Sequence, residues 1–197
     1  MIHTKSGHFI DVDLLDNNPF VLDFGACQGR FTSEMLYIRP GAFVFAYEPS
    51  RRNFDKLKKT KGLLAAFRCA VVGKGYPPLV SFIEYCVKDK SNMLRGFVKG
   101  KKAEIKEYPQ KTTLVKTVEI NTILNRFNAL DYVKMDIEGC EYNLVESITD
   151  SNFKKISQLS IELHGTNHYK IKEIIAANGF SIIENGKEIF CKRKTQQ

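Results

Sequence analysis

The 197-residue chain is 43% apolar and carries 30 Lys and Arg against 22 Asp and Glu, a net charge of +8. That is enough apolar material for one buried core and too much for disorder, while no uninterrupted apolar run approaches the roughly 20 residues of a membrane span. The N-terminus MIHTKSGHFIDVD lacks the charged-then-apolar layout of a secretory leader, and the five cysteines (Cys27, Cys69, Cys86, Cys140, Cys191) form no Cys-x-x-Cys pair. The expectation is a cytoplasmic protein with reduced thiols and neither a disulfide framework nor a zinc knuckle.

In chain order, short β-rich runs alternate with amphipathic ones. FVLDFGA is followed by RFTSEMLYI and FVFAYEP by SRRNFDKLKK, then comes LLAAFRCAVVG as one strand. LVSFIEYC and TTLVKTVEI read as strands, but the lysine-rich stretch between them has no period, so residues 86–112 are expected to be a loop or lid insertion. In INTILNRF, Ile120, Ile123, Leu124 and Phe127 make one helical stripe that Asn121 is placed to cap. DYVKMDIEG then precedes CEYNLVESI, and QLSIELHG precedes a helix over 167–178 that Gly179 stops. The closing FSIIENGKEIFCKRK reads as a hairpin turned at Asn185-Gly186 in type I′ geometry. Strand followed by helix, repeated, predicts an α/β fold: a doubly wound, mostly parallel sheet with helices on both faces and a C-terminal antiparallel hairpin. No linker or repeat divides the chain, so residues 1–197 are expected to be one domain, with 1–19 as an N-terminal extension.

Ligands of such sheets sit beyond the carboxyl ends of the strands. In VLDFGACQGRF a strand stops at Gly25 and a helix starts near Gly29, which predicts a tight turn with N–H groups facing open space and glycines that let a ligand approach the backbone. Glu48, at the tip of the next strand, is placed to accept hydrogen bonds from both hydroxyls of a ribose. The turn is Gly-x-x-x-Gly preceded by Asp23, a poor pyrophosphate cradle. It suits a nucleoside carrying an ammonium and a sulfonium, whose amine Asp23 could bind directly or through water. S-adenosylmethionine has that composition.

The ordered series VLDFGACQGRFT, VFAYEPSRRNF, CAVVGKG, VEINTIL, VKMDIEGCEYNLV and LSIELHG resembles the FkbM-type methyltransferases of the class I, S-adenosylmethionine-dependent fold. The resemblance runs from about Phe20 to the final hairpin. It implies a seven-stranded sheet whose last strand is antiparallel, and methylation of oxygen, often on a sugar or secondary metabolite. Asp23, Gly25, Ala26 and Gly29 match the cofactor turn and Glu48 the ribose-binding acid. Asp136, Glu138, Gly139 and Glu141 match an Asp-x-Glu-Gly-x-Glu signature, and His164 a histidine at the end of the fifth strand. Cys27 stands where Asn is usual and Asn121 where Asp is usual. The expected cofactor contacts are Asp23, Gly25, Ala26, Cys27, Gly29, Thr32, Glu48, Pro49, Ala70 and Asp136.

For a hydroxyl acceptor a general base is useful, and His164 is the first choice, with Asp136 and Glu138 as alternatives. Against this, a strand-end histidine also serves by bonding a carbonyl, Asp136 by holding the cofactor and Glu141 by sitting at a helix start. Three acids and a histidine could hold a divalent metal, but the motif match requires none and none is expected. The expected partner is a small hydroxylated acceptor. The positive charge keeps two alternatives open: an RNA ribose methyltransferase, or a non-catalytic module binding nucleic acid or protein.

Overall fold

The computed structural model describes residues 1–85, 96–98 and 110–194. The chain opens with a short antiparallel pair, β1 (Ile2–His3) and β2 (Phe9–Ile10), and a 3₁₀ turn at Val12–Leu14. Then come β3 (Phe20–Phe24), α1 (Arg30–Ile38), β4 (Phe43–Tyr47), α2 (Arg51–Leu57) and β5 (Ala65–Phe67). Four strands interrupt the rhythm: β6 (Ala70–Val72), β7 (Leu79–Tyr85), β8 (Gly96–Val98) and β9 (Gln110–Glu119). It resumes with α3 (Ile120–Leu124), β10 (Leu130–Met135), α4 (Glu141–Ser147), α5 (Asp150–Phe153), β11 (Ile156–Glu162) and α6 (His168–Ala177). The closing strands are β12 (Phe180–Asn185) and β13 (Glu188–Arg193).

The main sheet has seven strands in the order β12-β13-β11-β10-β3-β4-β5. Every pairing from β11 through β5 is parallel, and β13 runs antiparallel between β11 and β12. The order reverses between β3 and β10, which places a crevice above their carboxyl ends. Alternation along each strand sends residues to opposite faces. Leu22, Phe24, Val133, Met135, Leu159 and Ile161 join Ile123, Leu144, Ile171 and Ile175 in the core beneath α3, α4 and α6. Val21, Val44, Tyr132 and Phe190 face the other way, packing with Phe31 and Met35 of α1 and with Ile10 of the N-terminal segment. Helices therefore cover both faces, as the alternating pattern predicts.

Over β11 and β13 the second face is polar apart from Phe190, and the N-terminal segment covers it in place of a helix. Gln158 and Ser160 are fully buried. Gln158 exchanges bonds with the Asp11 backbone, accepting from its N–H at 2.9 Å and donating to its carbonyl at 3.1 Å. Ser160 donates to Glu188 at 2.7 Å and meets His8 Nδ1 at 2.8 Å, while Phe9 N–H donates to Glu188 at 2.8 Å. The first residues are thus tied into the sheet by buried polar bonds.

Several local expectations change. LLAAFRCAVVG breaks after Phe67: β5 ends the main sheet, and β6 starts a second sheet, β6-β9-β7-β8, whose buried Val71, Phe82 and Val115 join the main core. Asn185 pairs with Glu188, so the hairpin turn is Gly186-Lys187, one residue later than expected. Of these two only Gly186 has a positive φ, 61°, the signature of a type II′ rather than a type I′ turn. The cap of α3 is Glu119, which accepts from Asn121 N–H at 3.2 Å and Thr122 N–H at 3.3 Å. Asn121 instead bridges to the α4–α5 junction through Ser147 O, Thr149 N and the Asn152 amide. Within the expected 86–112 insertion, residues 96–98 and 110–112 are strand, and the rest of that expectation lies outside the described residues.

Candidate functional site

The turn after β3 is held by the tip of β4. Gly25 and Ala26 N–H groups both donate to Tyr47 O at 3.0 Å, and Gly29 N–H donates to Ala26 O at 2.8 Å. Cys27, in the left-handed region with φ 50°, donates its N–H to Glu48 Oε2 at 2.8 Å. Four donors expected to face open space are therefore used within the protein. The glycines, too, answer to the chain's own packing. A Cβ on Gly25 would lie 1.7 Å from Asp136 O, and one on Gly29 would lie 2.5 Å from Thr60 Oγ1 and 3.1 Å from Leu57 Cδ1. Gly25 thus lets the tips of β3 and β10 touch, and Gly29 lets α1 start against α2.

Glu48 is the hinge between the two strand tips. Its Oε1 accepts from Ser50 N–H at 2.8 Å and its Oε2 from Cys27 N–H, and the Asn53 side chain bonds the same carboxylate, which keeps lone-pair capacity for a ligand's hydroxyls. Burial pushes its pKa up to about 7, against the pull of the Ser50 and Cys27 N–H groups and Lys134.

Asp23 is fully buried and does not reach the cavity. It accepts from Thr32 Oγ1 at 2.7 Å and faces Lys134 Nζ at 3.2 Å. Lys134 sits opposite Asp23 in the β10–β3 register, donates to Gly25 O at 2.8 Å and lies 3.8 Å from Asp136. Burial pulls Lys134 down, but Asp23 and Asp136 outweigh it and the amine is held charged. Asp23 and Thr32 thus brace the turn from below. The signal for Lys134 was in the sequence: a lysine amid the apolar residues of a strand buried on both faces must find a carboxylate.

At the ends of β10 and β11 four acids surround one histidine. Glu141 is fully buried, accepts from Gly139 N–H at 3.0 Å and Ile137 N–H at 3.3 Å, and takes His164 Nδ1 at 2.9 Å. His164 Nε2 lies 3.5 Å from both Glu138 and Glu162. Burial alone would lower the His164 pKa, but Glu141, Glu162 and Glu138 together raise it to about 10. A ring with that pKa holds its proton at neutral pH, and His164 does not line the cavity. Asp136, also raised by burial and by Glu162 and Glu138 against the pull of Lys134, does line it, as does Glu138.

The cavity, about 450 Å³, opens above the β3 and β10 tips. Of the expected cofactor contacts, Gly25, Ala26, Cys27, Glu48, Pro49, Ala70 and Asp136 line it, whereas Asp23, Gly29 and Thr32 do not. Among the described residues four carboxylates reach it, those of Glu48, Asp136, Glu138 and Glu162. Sequence reasoning missed Ser6 and His8 from the N-terminal segment, Arg30, Asn53, Lys134, and the apolar wall of Val71, Phe82 and Val98 from the second sheet.

The fold and this crevice define a class I methyltransferase architecture, and residues 23–183 match the family model described as Methyltransferase FkbM domain. The chain belongs to that family. Two curated relatives are similar: Methyltransferase sdnD of Sordaria araneosa, 20% identical over 92% of this chain and 81% of the relative, and Methyltransferase 1 of Beauveria bassiana (strain ARSEF 2860), 20% identical over 87% and 76%. Among solved structures, Methyltransferase FkbM from Methylobacillus flagellatus KT superposes with a TM-score of 0.56 at 14% identity, covering 89% of this chain. This chain spans 44% of the length of that one. Precorrin-6y C5,15-methyltransferase from Geobacter metallireducens GS-15 gives 0.50 at 13% identity over 93% of this chain and 85% of the other, a likeness of fold.

Proposed function

We propose that the protein is an S-adenosylmethionine-dependent methyltransferase that methylates a hydroxyl of a sugar or other small molecule. The observation that carries this reading is the joining of the glycine turn to Glu48, Cys27 N–H to Oε2 at 2.8 Å, at the floor of an acid-lined cavity of about 450 Å³. That volume lies within the range of cofactor pockets, roughly 300–1,000 Å³. The residues present fit the cofactor: Glu48 offers a carboxylate to a ribose diol, and the four acids favour a cationic ligand over a dinucleotide's phosphates. The same acids argue against a polyanion in the cavity, so the RNA reading rests on net charge alone.

S-adenosylmethionine supplies the methyl group on a positively charged sulfur. The chain's part is alignment and exclusion of water, which together are worth roughly 7–11 kcal/mol in oriented reactions. Glu48 and the Gly25–Cys27 turn fix the nucleoside end, and Lys134 and Asp23 hold that turn rigid from beneath. Asp136 and Glu138 present carboxylates at the acceptor end and are the proton acceptors of this reading. Among the described residues no helix is long and apolar enough to cross a membrane.

Calorimetric titration tests the proposal. S-adenosylmethionine should bind one per chain, and Glu48→Ala should weaken binding by about tenfold or more, the worth of hydrogen bonds to a charged group. No heat with the folded wild-type protein would overturn it. Incubation with labelled S-adenosylmethionine and fractionated extract should then place label in a small-molecule fraction; label confined to RNA would replace the acceptor class.

A further inference from the structure

We infer that Asp136, Glu138, Glu162 and His164 form a site for a single divalent cation of the Mg²⁺ or Mn²⁺ kind. One carboxylate oxygen each from Asp136 and Glu138 and one ring nitrogen of His164 lie within 4.8 Å of one another. Ligands bound at about 2.1 Å around a six-coordinate cation stand about 3 Å apart when adjacent and about 4 Å when opposite, so small side-chain shifts would close the set. Glu162 Oε1, 3.5 Å from His164 Nε2, provides the fourth donor.

A second observation makes this more than an acidic cluster. The His164 side chain is only 6% exposed, and Nε2 points between Glu138 and Glu162, 3.5 Å from each, without a well-directed hydrogen bond to either. Its other nitrogen is fixed on Glu141, which is itself fixed by the Gly139 and Ile137 N–H groups. A histidine whose second nitrogen is anchored on a buried carboxylate is oriented as metal-binding histidines are. Three carboxylates, one imidazole and no thiolate suit Mn²⁺ or Mg²⁺ better than a thiophilic ion. A bound cation takes the place of the ring proton at Nε2.

Asp136, Glu138 and Glu162 line the cavity. Resting on the methyltransferase reading, the cation would bind and polarise an acceptor hydroxyl, which narrows the acceptor to one with an oxygen free to enter a metal's coordination sphere. A carboxylate that gives the cation one oxygen keeps the other for a proton.

The test is a MnCl₂ titration of the chelator-treated, full-length protein, with free Mn²⁺ followed by electron paramagnetic resonance. One saturable site per chain is expected, displaced by excess MgCl₂. Glu138→Gln and Glu162→Gln should each weaken it by about tenfold or more, with circular dichroism and Tm unchanged, while Glu146→Gln, remote from the cluster, binds as wild type. Should one variant fail to fold, the other and Asp136→Asn carry the comparison. Uptake that never saturates through millimolar Mn²⁺, or saturable binding untouched by these changes, would overturn the inference. S-adenosylmethionine titrated with chelator present separates the two readings. Nucleoside binding without a Mn²⁺ site removes the cation alone, and a Mn²⁺ site without nucleoside binding leaves the cation and removes the cofactor.

Discussion

Burial raises the Glu48 carboxyl to about 7, and this gives two pH effects of opposite sign. Because the folded pKa lies above the ordinary value of 4.5, ionising Glu48 costs the fold. Its contribution to stability is fully present below about pH 4.5 and is lost as pH rises through about 7. Ligand binding runs the other way, since a ribose diol donates two hydrogen bonds and only the carboxylate accepts both without giving up an oxygen to its own proton. S-adenosylmethionine affinity should therefore fall below pH 7, by up to about tenfold per unit. In Glu48→Gln the affinity should be weaker throughout and flat with pH. Calorimetry between pH 5.5 and 8 checks this; an affinity that does not change for the wild type would mean that the acid does not hold the sugar.

Between elements, the joint that matters most is the one between β3 and β10. Lys134 and Asp23 face each other in register and are both buried, so removing the amine strands a carboxylate. Lys134→Met should cost about 3–5 kcal/mol in urea denaturation, and adding Asp23→Asn should recover part of that loss. A loss under about 1 kcal/mol would show that water reaches Asp23. The strands themselves were readable from apolar runs, because a parallel strand buried on both faces needs them. The pairing of Lys134 with Asp23 was not, since nothing local to either strand sets the register between segments 111 positions apart. For the same reason Glu48 was read as a ligand residue but its grip on Cys27 N–H was not. The pKa of His164 depends on carboxylates from the β10–α4 loop, the start of α4 and the end of β11, so its residue type alone did not show which way the assembled site would push it. The second sheet was hidden because LLAAFRCAVVG carries no mark where the chain leaves one sheet for another.

At the scale of the whole molecule, the N-terminal segment is a structural wall rather than an appendage. It supplies His8 and Ile10 to the interior and hydrogen-bonds Gln158, Ser160 and Glu188. Deleting residues 1–10 should cost at least about 3 kcal/mol and lower Tm by about 6–12 °C. An unchanged Tm would show that the segment rests on the sheet without stabilising it. Ser6 and His8 also line the cavity, so the truncated protein should bind S-adenosylmethionine more weakly even where it stays folded. The bond from Phe9 N–H to Glu188 joins positions 179 apart in the chain. During synthesis the β1–β2 segment must therefore wait for β13 to leave the ribosome before this wall can be built, and the chamber stays unfinished until then.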